Sequence, residues 1–310
     1  MPRAPRSRWL LRLAIALAIA VVVLAFATRR KTRLRLAYPP GEVVTTKDVT
    51  FVEGSKNPRQ TLDVYAPAGR KDAPVVVFVH GGSWIHEDKD EWSFVTGLYG
   101  SIGVSLAKRG IVTVIPNYRL GPEVDIDGIL DDVAAALRWT TAHAREHGGD
   151  ARRIVLMGHS AGAHLVALAA IDERQLAKRG VDPRIVAGVV ALSTVWSIEE
   201  MHDDLGAALG EKVTYPVFGR DRARWDDYSP LSRMHVGQPP LLVAVGGADY
   251  AYMIPAAARA TERAKALGNE AEHVLVPGYS HREMVLTFGA RDDALSDRVA
   301  AFAARVTAAR

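Results

Sequence analysis

From residue 75 onward, short runs dense in apolar residues alternate with stretches whose apolar positions recur every three or four residues. The runs lie at 75–79, 111–116, 154–157, 185–192 and 241–245, with a last, more polar one at 272–276. Each has the length of a strand, and the first five lack the wet–dry alternation of a half-exposed sheet. They predict strands covered on both faces. Between and after them, 99–109, 127–147, 161–170, 256–267 and 294–309 read as helices, with Ile129, Leu130, Val133 and Leu137 on one face of the second. Glycines at 110, 148 and 268 stop three of these helices. Such alternation predicts a parallel sheet with helices on both faces. Two earlier segments, 47–53 and 60–65, flank a Gly-Ser-Lys-Asn-Pro turn and predict an antiparallel edge. The expected class is therefore α/β, with an eight-stranded, mostly parallel sheet.

The alternation is interrupted once. Residues 195–238 are rich in Trp, Asp and Arg and too long for a plain connection. They predict a small lid over the strand ends. A punctuated linker, Ala37-Tyr38-Pro39-Pro40-Gly41, marks where the folded part begins, so we divide the chain into a leader, 1–35, and one domain, 36–310.

Charge changes the picture of the leader. The 310-residue chain carries a net charge of +4, but nine of its Lys and Arg residues fall within 1–35 with no acid among them, leaving the remainder at −5. The positive charge is not spread over a folded surface, which argues against a nucleic-acid partner. It brackets an apolar run from Leu13 to Ala27, extended by Trp9, Leu10 and Leu11 around Arg12. The expectation is an uncleaved N-terminal membrane helix; export after cleavage near Ala27 is the alternative. The absence of cysteine excludes disulfides, thiolate metal sites and a cysteine nucleophile.

The chemistry concentrates at strand ends. The run at 154–157 enters Gly158-His159-Ser160-Ala161-Gly162 and then a helix, the setting in which G-x-S-x-G turns a serine sharply outward. A serine hydroxyl needs a base within reach, and open α/β sheets bind ligands beyond the carboxyl ends of their strands. After 241–245 comes Gly246-Gly247-Ala248-Asp249, and after 272–276 comes Pro277-Gly278-Tyr279-Ser280-His281. Ser160, Asp249 and His281 thus follow the order nucleophile, acid, base. After 75–79, His80-Gly81-Gly82-Ser83-Trp84 offers the N–H groups of Gly82 and Ser83, with that of Ala161, as an oxyanion hole. Trp84 and Trp196 are candidate pocket walls. His159 is expected to be aimed away from the serine, and His164 and His273 to be structural. The acidic stretch 86–91 and the lid aspartates Asp203, Asp204, Asp226 and Asp227 are expected to be solvated.

Taken together these residues resemble the α/β-hydrolase superfamily, in the esterase group that includes hormone-sensitive-lipase-like carboxylesterases, arylformamidases and prenylcysteine methylesterases. His80-Gly81-Gly82-Ser83-Trp84 is similar to the H-G-G-x-W variant, and Gly158, residues 160–164 and Asn117-Tyr118-Arg119-Leu120 are similar to the formamidase and methylesterase versions. The resemblance covers about residues 45–305 and weakens through the lid. It implies the α/β-hydrolase fold, a serine esterase acting on a small-molecule ester through an acyl-enzyme, and no metal or organic cofactor. Formamide hydrolysis by the same residues is the alternative chemistry; a catalytically silent, membrane-tethered binding module is the alternative of another class.

Overall fold

The computed structural model describes residues 41–91, 97–290 and 293–308. The expected leader helix and its membrane role fall outside them. Among the described residues no helix is long and apolar enough to cross a membrane.

Eight strands form one sheet. They are β1 (Val43–Thr50), β2 (Thr61–Pro67), β3 (Ala73–Val79), β4 (Val112–Pro116), β5 (Gly149–His159), β6 (Val186–Leu192), β7 (Leu241–Ala248) and β8 (Ala271–Ser280). Their order is β1-β2-β4-β3-β5-β6-β7-β8. The first two pairings, β1 with β2 and β2 with β4, are antiparallel. Every pairing from β4 to β8 is parallel.

The apolar runs become strands because both faces are covered. Val75, Val77 and Val79 enter one core cluster while Val76 and Phe78 enter the other, as the period of two requires. All five are fully buried, each worth roughly 1.5–3 kcal/mol relative to exposure. The first cluster lies under α2 (Ile126–His143), α3 (Ala161–Ile171) and α7 (Met253–Ala266). The second lies under α1 (Gly100–Lys108), α8 (Glu283–Leu286) and α9 (Ala294–Ala308). The first strand runs over Val43–Thr50 rather than 47–53. A bulge between Thr46 and Val49, with Asp48 at φ 55°, breaks its alternation, and Phe51 turns inward after it.

The insertion after β6 is largely helical. α4 (Glu173–Ala177) precedes β6, and α5 (Ile198–Phe218) and α6 (Pro230–Arg233) follow it, the latter two joined by a 3-10 turn at Arg222–Tyr228. Ser197 caps α5 by accepting the Glu200 N–H. Gly206, at φ 71°, kinks it. What positions the site is the reversal of strand order around β3, whose neighbours are β4 and β5. Ligands bind beyond strand ends at such a reversal. The loops after β3 and β5 both open there.

Candidate active site

The elbow owes its shape to two glycines and one strained serine. Ser160 stands at φ 54°, ψ −121° between β5 and α3. Its N–H donates to the Leu192 carbonyl at 2.9 Å, tying the corner to β6. A Cβ at Gly158 would lie 2.5 Å from the Gly162 carbonyl carbon, and one at Gly162 would lie 2.1 Å from the Val79 carbonyl oxygen. Neither position has room for a side chain, so strand and helix close to backbone contact and Ser160 is pushed outward.

Asp249 follows β7 and His281 follows β8. The Asp249 side chain is fully buried, and that of His281 is 16% exposed. His281 Nδ1–H donates to Asp249 Oδ1 at 2.8 Å. The carboxylate can only accept, so the proton of the neutral ring is on Nδ1 and Nε2 carries the free lone pair. The Tyr250 N–H donates to the same Oδ1 at 2.8 Å, and Ser193 Oγ donates to Oδ2 at 2.5 Å. Burial alone would raise this carboxyl's pKa; hydrogen bonds from His281, Ser193 and the Tyr250 amide, with the charge on His281, hold it below the ordinary value.

The loop after β3 turns through three successive residues of positive φ: Gly82 (97°), Ser83 (53°) and Trp84 (62°). A Cβ on Gly82 would meet the His86 carbonyl at 2.2 Å, so only glycine fits. Its carbonyl accepts the N–H groups of Ile85 and His86. Gly81 is held at both ends: Tyr99 Oη accepts its N–H at 3.1 Å, and Tyr118 Oη donates to its carbonyl at 2.8 Å. The stretch 117–119 braces this loop and the neighbouring helix. Asn117 Oδ1 accepts the Lys89 N–H, and Arg119 makes a two-pronged ion pair with buried Asp132. Among the described residues no acceptor is placed against the N–H groups of Gly82, Ser83 or Ala161.

One cavity of about 540 Å³ brings these groups together. Ser160, His281, Gly82, Ser83, Ala161 and Trp84 all line it. The lid supplies four apolar residues from α5: Met201 and Leu205, a helical turn apart before the Gly206 kink, and Leu209 and Val213, a helical turn apart after it. A serine that shares a cavity with an imidazole, with free backbone N–H donors on the same wall, can attack an acyl carbon once the imidazole takes its proton, and the donors can stabilise the oxyanion that forms.

Three expectations need correction. Trp196 does not line the cavity, although Val195 does; the Trp196 side chain is fully buried in the core. His159 is not turned away from the site. Its ring lies 4.6 Å from that of His281, and its Nε2–H donates to the His281 carbonyl at 3.0 Å. Nor is 86–91 simply solvated. Glu87 and Glu91 line the cavity, and Lys89 is buried with its ammonium among Asp48, Asp63 and Asp90. Those three aspartates are near enough to hold a cation, and the lysine already supplies the charge. His164 is a fully bonded core residue, donating to the Tyr228 carbonyl and accepting from Trp84 Nε1. Sequence reasoning missed Ser193 and Tyr250. The signal for Ser193 was available: a polar residue directly after a strand that neighbours both β5 and β7.

This sheet and the arrangement at its strand ends define an α/β hydrolase. The sequence pattern of the BD-FAE family matches residues 62–258, and the chain belongs to that family. It is 28% identical over 260 residues to isoprenylcysteine alpha-carbonyl methylesterase of Arabidopsis thaliana, covering 78% of this chain and 59% of that one. It is 30% identical over 270 residues to esterase LipC of Mycobacterium tuberculosis, covering 82% and 64%. The chain thus spans about three fifths of the length of these curated relatives. Inhibited esterase B from Lactobacillus rhamnosis has the same fold, with a TM-score of 0.72 at 23% identity, covering 96% of this chain and 94% of that one.

Proposed function

We propose that the protein is a serine carboxylesterase in which Ser160 is the nucleophile, His281 the base and Asp249 the acid that orients it. The observation carrying this reading is the shared cavity, which a serine on a strained elbow lines together with an imidazole already bonded to a buried carboxylate. Family membership and relatives named as esterases support it. Ser160 Oγ attacks the ester carbonyl carbon while His281 Nε2 takes its proton. The N–H groups of Gly82, Ser83 and Ala161 receive the oxyanion, an interaction worth about 3 kcal/mol per donor. Collapse breaks the bond to the alcohol, which leaves with the proton from His281. Water, deprotonated by the same imidazole, then releases the acid and restores Ser160.

The apolar stripe of α5 suits an acyl or alkyl portion of the ester. The test compares kcat/KM for a series of acyl esters with an aryl formamide, alongside labelling by a fluorophosphonate. Esters should dominate and Ser160→Ala should abolish labelling. Formamide dominance would transfer the machinery to amide chemistry, and an unlabelled native protein would leave only a binding role. The basic, apolar leader supports a membrane tether for this enzyme. Full-length protein should sediment with membranes, and deletion of 1–35 should release it; sedimentation unchanged by the deletion would end that part of the reading.

A further inference from the structure

The elbow places a buried imidazole directly before the serine. His159 is 4% exposed and sits between the Gly81 loop and the His281 turn. A Cβ on Gly81 would lie 3.1 Å from His159 Nδ1, so the glycine leaves the space that the ring fills. Its Nε2–H reaches the carbonyl of His281, 122 residues further along the chain. The turn that carries His281 is also held by Ser280, whose N–H and Oγ both donate to Glu283 Oε2 and which pairs with Ala248 at the end of β7. The His281 ring lies between His159 at 4.6 Å and Tyr250 at 4.8 Å.

We infer that His159 is a positioning residue that holds the backbone of His281 against the elbow, so that base and nucleophile stay in register. The inference rests on the serine-esterase reading. Only one nitrogen of the ring has a partner among the described residues; Nδ1 is buried and has none. An unmet buried acceptor is a cost that a purely apolar side chain would avoid. The Nε2 bond is what an apolar residue could not supply. That nitrogen donates to a carbonyl, so the neutral ring carries its proton on Nε2. Burial and the adjacent His281 both favour this form. A neutral ring does not repel the imidazolium that forms at His281 during turnover.

Three variants separate positioning from packing. His159→Gln keeps an amide N–H at the reach of Nε2, His159→Asn falls one carbon short, and His159→Phe fills the volume with no donor. On a short acyl ester, Gln should hold kcat within about threefold of the native enzyme while Asn and Phe lose about thirtyfold or more, all with KM within about threefold. Native-like turnover in Phe, equal losses in Gln and Asn, or a rise in KM matching the loss would each overturn the inference. If Phe does not fold, the Gln–Asn pair decides. Fluorophosphonate labelling of the native protein keeps the two claims apart. Absence of labelling defeats the esterase reading itself, whereas a labelled enzyme with equal Gln and Asn rates defeats only the role of His159.

Discussion

Replacing Asp249 by Asn removes a charge and leaves a choice of orientation, and the structure decides that choice. Oδ1 accepts from two donors, His281 Nδ1–H and the Tyr250 N–H, while Oδ2 accepts only from the Ser193 hydroxyl. A backbone N–H can only donate, but a hydroxyl can rotate and accept. The amide should therefore place its oxygen where Oδ1 was and its NH2 towards Ser193. His281 keeps its proton on Nδ1, and Nε2 stays free to act as base. What is lost is the negative charge that stabilises the imidazolium. The lost unit charge, about 4 Å away at an effective dielectric near 20, is worth about 4 kcal/mol, and the neutral hydrogen bond that remains returns about 1 kcal/mol, a net loss of about 3 kcal/mol. At 1.36 kcal/mol per tenfold, kcat should fall by about 10² to 10³. An amide that instead forced the wrong tautomer would cost about 10⁴. The assay is kcat on a chromogenic short acyl ester at about pH 8, above the ordinary imidazole range. A loss below tenfold would mean that the carboxylate does not act on His281. A loss of 10⁴ or more would mean that the Tyr250 N–H does not set the amide's orientation.

Gly162→Ala should both destabilise and slow the enzyme. Its Cβ would sit 2.1 Å from the Val79 carbonyl and 2.3 Å from that of His80. Overpacking of this kind costs about 1–3 kcal/mol or more, so a native-like melting temperature with native-like turnover would refute the elbow argument. Stability should fall on mild acidification, because burial holds His80 and His164 to a pKa of about 4 and His159 to about 3. Below about 6.5 the unfolded chain protonates these rings while the folded one does not, so their contribution is complete above that pH and is lost as the pH falls towards the folded values. Three such groups give a slope on the order of 4 kcal/mol per pH unit between about pH 6 and 4. Urea midpoints unchanged from pH 7 to pH 5 would contradict this. Leu205→Trp, which narrows the lid side of the cavity, should lower kcat/KM for long acyl esters at least about tenfold more than for acetate esters. An equal effect across the series would mean that the stripe on α5 does not hold the acyl chain.

How much of this was legible depended on how tightly burial constrains each segment. The strands from β3 to β7 stand out because both faces are covered, and only apolar side chains survive there; Val75 to Val79 is the clearest case. The edge strand β1 is half exposed and bulged, so its boundary slipped by several residues. Helix α5 was illegible as a helix because Gly206 and Pro216 lie inside it, and its four cavity residues fall in two pairs of helical spacing on either side of the Gly206 kink. Trp196 was misassigned because a residue's face cannot be read where the chain leaves a strand without a repeat. His159 was misassigned for the opposite reason. The elbow does send neighbours apart, but the His281 turn folds back to the side that His159 faces. Nothing local to residue 159 carries that information.

The same geometry explains why so many strand ends take part. Neighbouring strands lie about 4.8 Å apart, so the ends of β5 and β8, three strands removed, would stand about 14 Å from each other in a flat sheet. A serine and an imidazole cannot exchange a proton over that span. The intervening strands fill the gap: β6 ends at Ser193, which donates to Asp249, and β7 ends at Asp249, which holds the His281 ring. The turn after β8 then bends back until its carbonyl meets His159 on β5. Each of the four strands beyond the switch point thus contributes one group, and the contribution of each is set by its place in the ladder. On this view Ser193 and His159 are the two ends of a brace across the sheet, one acting through the acid and the other through the base's own backbone.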